Sequence, residues 1–173
     1  AAATSWEIRP ASGIVLAVFS AASGVAGLLY GARTWRSPLP GRFVSGAVAL
    51  CLRTAGLPLA HSIVGLSGVG LLVGATVAPT LINGNTLIGR VVPGGRLTEG
   101  LAWMGTGIGI GAAAGSSVSG AVIDAWGHHA GFIVVCAFAA AAAVIAVGSL
   151  PGLRRAVADA DAAQDVDGVR ETI

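Results

Sequence analysis

The sequence predicts an all-α, polytopic membrane helix bundle, and three observations carry that prediction. Hydrophobic residues fill 54% of the 173 positions and charged residues only 10%, against about 25% charged in ordinary soluble domains. Mean hydropathy is +0.82, too high for a chain that must clothe itself in a polar shell. The apolar residues also fall in long runs with short connections, as they do in helices crossing a hydrocarbon core about 30 Å thick. Lipid cannot satisfy backbone groups, and alternating barrel strands are absent, so the spans are helices.

Five spans follow in order, at 12–31, 43–60, 62–88, 99–123 and 130–150. The first ends in GLLYGAR, where Gly27 and Gly31 stand at the four-residue spacing that lets helices approach closely. An arginine-rich connection, 32–42, leads to the second span, whose one charge is Arg53. An arginine there is either functional or snorkels its guanidinium to the interface. The turn PLAH precedes the third span, which holds Gly70 and Gly74 and then Thr76, Thr80 and Asn83. Those three polar residues share one helical face, and Pro79 beside them predicts a kink or local unwinding. Such a face is either interhelical glue or the wall of a water-filled pathway. Asn85 points to the opposite side.

The connection RVVPGGRLTE opens the fourth span, with Thr98 as expected N-cap and Glu99 in the first turn, where the helix dipole favours an acid. Gly107, Gly111, Gly115 and Ser119 then form a small-residue stripe expected to pack against another helix. DAWGHH joins it to the fifth span. Residues 1–11 read as an external segment, the end of a preceding helix or a loop, and 12–150 as the transmembrane domain. Residues 151–173 read as a polar tail, with Asp159, Asp161, Asp165, Asp167 and Glu171, expected to fray beyond its first turns.

Charge orients the bundle. Arg33, Arg36, Arg42, Arg90, Arg96, Arg154, Arg155 and Arg170 collect on one side and Arg9 on the other, so the positive-inside rule makes the 32–42 loop, the 89–98 loop and the C-terminus cytoplasmic. The net charge of +2 lies in connections rather than along a face, which excludes a nucleic-acid surface. Cys51 and Cys136 stand apart in apolar runs and read as small packing residues; no motif implies a metal or a cofactor. GLSG at 65–68 and HHAG at 128–131 also admit a protease reading. Rhomboid-like intramembrane proteases pair such motifs through a serine nucleophile and a histidine base. Serine and glycine are too abundant here for the match to mean much, and the chain is read as no enzyme.

The basic loop carries a family resemblance. Gly27, the Tyr30-Gly31-Ala32-Arg33 run, Arg36 and the closing Gly41-Arg42 resemble the second, degenerate copy of the G-x-x-x-D/G-R-x-G-R-R signature of major facilitator superfamily transporters. The stretch APTLINGNTLIGRVVPGGRLTEGLAWMGTGIGIGAAAGSSVSGAVIDAWG is similar to helices 10 and 11 of actinobacterial efflux permeases of that superfamily. The resemblance implies that the chain is a C-terminal portion, helices 8 to 12, partnered in the membrane by a missing N-terminal half. It implies efflux of small organic substrates, drugs or sugars, across the bacterial plasma membrane by alternating access and proton antiport. It also makes Thr76, Thr80 and Asn83, on the helix-10 equivalent, substrate-pathway residues, and moves Arg53 toward a scaffold role. The loop departs from the full signature, with Gly31-Ala32 where an acid-arginine pair would stand. The runner-up reading is a non-transporting membrane scaffold or truncated remnant.

Overall fold

The computed structural model describes residues 2–59 and 62–171, with side chains described from residue 13 to 164 except at 60, 61, 63 and 128. The described residues form five α-helices: α1 (Ala2–Gly31), α2 (Leu39–Thr54), α3 (Ile63–Val91), α4 (Leu97–Trp126) and α5 (His128–Glu171). Four of them are long and apolar enough to cross a membrane. The exception is α2, expected at 43–60 but 16 residues long, or about 24 Å at 1.5 Å per residue.

Local chemistry explains the early stop. The Thr54 hydroxyl donates to the Leu50 and Cys51 carbonyls, and Gly56 N–H turns back to the Arg53 carbonyl at 3.2 Å. Pro58 then sits in a short 3-10 turn, Leu57–Leu59, because proline cannot extend an α ladder. At its other end α2 starts earlier than expected. Pro38 serves as N-cap and Pro40 lies in the first turn, where a missing N–H costs nothing.

The other boundaries follow the same logic. Ser62 caps α3 by accepting from Gly65 N–H at 3.0 Å. Pro79 sits inside α3 without ending it, so no unwound segment forms there. The cap of α4 is Arg96 rather than Thr98, since a 3-10 turn at Gly94–Arg96 feeds directly into the helix. Glu99 does stand in the first turn. A single residue, Gly127, separates α4 from α5, with φ +82° and ψ 173°, a region open to glycine alone. The segment expected as a loop or helix end before residue 12 is helical from Ala2, and the tail expected to fray is helical to Glu171.

Two of the main helix contacts join consecutive helices and two skip along the chain. α1 lies on α3, α3 on α2, α2 on α5, and α5 on α4. Paired positions show the directions. Phe19 meets Gly74, Gly27 meets Ala78 and Tyr30 meets Asn83, so α1 and α3 run parallel. Gly46 meets Thr80 and Arg53 meets Leu72, so α2 runs against them. Arg90 Nε and Asp161 Oδ1, 3.3 Å apart, bring the end of α3 to the far part of α5. Both arginine-bearing connections and the C-terminal part of α5 therefore lie at one end of the bundle.

The apolar surface faces outward. Leu28, Val64 and Trp126 are 77%, 81% and 76% exposed, while the buried set includes Thr54, Thr76 and Asn83 beside Leu39, Val44, Leu87, Ala143 and Ala146. A water-soluble fold buries large apolar side chains; one dissolved in lipid leaves them outside and hides its polar groups.

Candidate functional site

Small residues bring α2 and α3 together, and the polar face lies in the space this opens. A methyl on Gly46 would stand 2.6 Å from Thr80 Oγ1, so only glycine allows this approach. Along α2, Arg42, Gly46, Ala49 and Arg53 repeat at three- and four-residue steps on one stripe. Facing it, α3 offers Thr76, Pro79, Thr80 and Asn83. Tyr30 and Trp35 close the end nearest the arginine loop, leaving a cavity of about 200 Å³. A larger open groove of about 580 Å³ follows α1, lined by Phe19, Ser20, Ser23, Gly24, Gly27, Leu28 and Ala78. It carries no charged side chain and offers little to orient a ligand.

Hydrogen bonds tie the expected polar residues to their neighbours. The Tyr30 hydroxyl donates to Asn83 Oδ1 at 3.0 Å, across the α1–α3 contact. Arg53 Nη1 donates to the Leu72 carbonyl at 2.9 Å and to the Thr76 hydroxyl. The Thr76 and Thr80 hydroxyls in turn donate to the carbonyls of Leu72 and Thr76, at 2.9 and 2.8 Å. So Thr76, Thr80 and Asn83 do share one face, and all three line the cavity. Thr76 and Asn83 are 5% and 3% exposed and are held from α2 and α1. Arg53 bridges α2 to α3 rather than standing alone. Asn85 donates to the Leu81 carbonyl at 3.0 Å on the exposed side.

The arginine loop folds around an aromatic pair. The rings of Tyr30 and Trp35 stack with centroids 4.4 Å apart, and Trp35 Nε1 donates to the Tyr30 carbonyl at 3.0 Å. The Arg33 and Arg42 guanidinium carbons lie 5.1 and 5.8 Å from the Trp35 ring centre, within cation–π range. Arg42 Nε is covered and has no hydrogen-bond partner. Arg36 is exposed, and Gly31 and Gly41 border open space. Of the loop motif, then, Gly27 packs and Arg33 and Arg42 cluster, while Arg36, Gly31 and Gly41 stand apart.

The glycine stripe of α4 behaves unlike those of α1 and α3. Nothing lies within 4 Å of where side chains at Gly107, Gly111 and Gly115 would begin, and no described residue of α4 is buried. Among the described residues Gly107, Gly111 and Gly115 thus lack the expected neighbours, while Ser119 is half-buried. α4 touches α5 instead near their shared turn, where a methyl on Gly131 would stand 2.5 Å from Ile123 Cγ1. Cys136 Sγ lies 3.2 Å from the Thr54 carbonyl, fastening α5 to the end of α2. Ser67 is half-buried in α3, and the side chains of His61 and His128 lie outside the described residues.

Two residues central to the site were not singled out from the sequence. Tyr30 enters the sequence reading only as part of a motif, and Trp35 has no role in it. The available signal was the pairing of the single tyrosine with a tryptophan five residues on, amid arginines that aromatic faces attract.

Outward apolar surface, buried polar clasps and four spanning helices define an integral membrane helix bundle. The sequence model of the Major Facilitator Superfamily matches residues 4–167, and the chain belongs to that family of membrane transporters. No curated protein and no solved structure matches it.

Proposed function

We propose that the chain forms helices 8 to 12 of an efflux permease of the actinobacterial type. It would export small organic molecules, of drug or sugar type, by alternating access in the cell membrane. In this reading the arginine connections and the C-terminus face the cytoplasm, since cationic loops resist translocation. An N-terminal half supplies the opposing bundle and the proton-titrating carboxylate, because no acid stands beside the α3 face among the described residues.

The observation that carries the proposal is the polar face of Thr76, Thr80 and Asn83 lining a cavity beside Pro79. Thr80 is the residue to test, since among the described residues its hydroxyl bonds within its own helix. A cysteine at Thr80 in the intact transporter should react with a water-soluble thiol reagent, and substrate should protect it. Absence of reaction in every transport state removes the pathway role.

One observation favours the runner-up, a non-transporting scaffold. Arg53 and Tyr30 hold Thr76 and Asn83 as interhelical glue. Substrate flux that survives Thr80→Val unchanged would support that reading of the face.

A further inference from the structure

We infer that the cavity between α2 and α3 is a binding site for an acidic group, a carboxylate or a phosphate. Two guanidiniums, Arg42 and Arg53, line its wall. Among the described residues neither has a carboxylate partner, the one ion pair there being Arg90 with Asp161. The cavity's other polar walls are hydroxyls and an amide, from Tyr30, Ser45, Thr76, Thr80 and Asn83. A guanidinium in a lipid-facing bundle calls for a counter-charge or water; the described residues give neither arginine a carboxylate, with Arg42 half-buried and Arg53 exposed.

Arg42 has the greater need. It meets the Trp35 ring on one side and its Nε makes no hydrogen bond, an arrangement that leaves a strong donor unsatisfied. Arg53 has spent Nη1 on Leu72 and Thr76. The two stand eleven positions apart on α2, about 16 Å along its axis. An acidic group at Arg42 would leave a hydroxyl-bearing body to lie along Thr80 toward Arg53. The cavity's 200 Å³ suits a small organic anion or the headgroup of one lipid. The inference rests on the transport reading only for which anion would be carried, since binding itself needs no flux.

Trp35 forms part of the wall and touches Arg42, so its emission reports occupancy. The intact protein in phosphatidylcholine nanodiscs should be titrated with sodium benzoate against sodium chloride at matched ionic strength. A saturable change in emission, absent in Trp35→Phe, is expected. Arg42→Gln and Arg53→Gln should each weaken it about tenfold or more, and Arg42→Lys should restore part of the loss. A parallel arm uses discs containing phosphatidylglycerol. If emission there is already shifted and benzoate adds nothing, a lipid phosphate is the occupant. No saturable response in either arm overturns the site, as does a response of equal strength in both glutamine variants. Should a glutamine variant fail to fold, the unsubstituted protein alone still decides between a response and none. Efflux measured separately in proteoliposomes keeps a failure of transport distinct from a failure of binding.

Discussion

Two glycine runs with the same four-residue spacing meet different fates in this bundle. Gly70 and Gly74 in α3 press against α1, close enough that a methyl on Gly74 would overlap the Phe19 carbonyl. Gly107, Gly111 and Gly115 in α4 face open space. Spacing alone marks a surface on which a backbone can lie; it does not say that one lies there. The difference comes from what flanks the glycines. Gly74 sits one turn from Ala78, which meets Gly27 of α1, so small residues on two helices are in register. The α4 stripe has no neighbour within 4 Å at Gly107, Gly111 or Gly115, although α4 does touch α5, closely where Ile123 meets Gly131.

Substitutions can break that comparison. The largest effect is expected from Gly74→Leu, which must part α1 from α3 and should lower stability by about 3 kcal/mol, the upper range of overpacking. The same change at Gly111 should move stability by no more than about 0.5 kcal/mol. Unfolding of the protein in mild detergent, followed by far-ultraviolet circular dichroism, compares the two. Equal losses would show that α4 is also packed.

Gly127→Ala tests the turn that keeps α4 on α5. The left-handed backbone there makes any side chain strained by about 1–3 kcal/mol, and the same unfolding assay should show that loss. Tyr30→Phe removes the bond to buried Asn83. A cost of about 1 kcal/mol is expected, with Asn83→Leu in the Tyr30→Phe background adding less than it does alone. The smallest effect belongs to Arg90→Gln. Its bond to Asp161 joins two half-exposed groups, worth about 0.2–1 kcal/mol and fading with added salt. A loss that persists undiminished at high salt would mean that the pair is more shielded than its exposure indicates.

Composition and hydropathy sufficed for the helical membrane class, because lipid leaves a chain few other choices. The shared face of Thr76, Thr80 and Asn83 was also legible, since it needs only the helical period. What the face touches was not, because Arg53 and Tyr30 reach it from other helices, 23 and 53 positions away from their partners. The length of α2 was misjudged for a different reason. Hydropathy continues smoothly through AGLPLA, but the turn at Gly56 and Pro58 is a backbone event that hydropathy does not see. The C-terminal segment was misjudged because its charges outweighed its alanines. RRAVADADAAQ is rich in the best helix former, and it continues a helix already nucleated inside the membrane.

Gly127 has a mechanical consequence. With one residue between α4 and α5, in a backbone conformation that glycine alone adopts easily, the two helices stay tied end to end. α5 in turn meets the end of α2 through the contact of Cys136 with the Thr54 carbonyl. Gly127 and the Cys136–Thr54 contact thus join α4, α5 and α2 in one line of contacts, with the exposed α4 at its outer end.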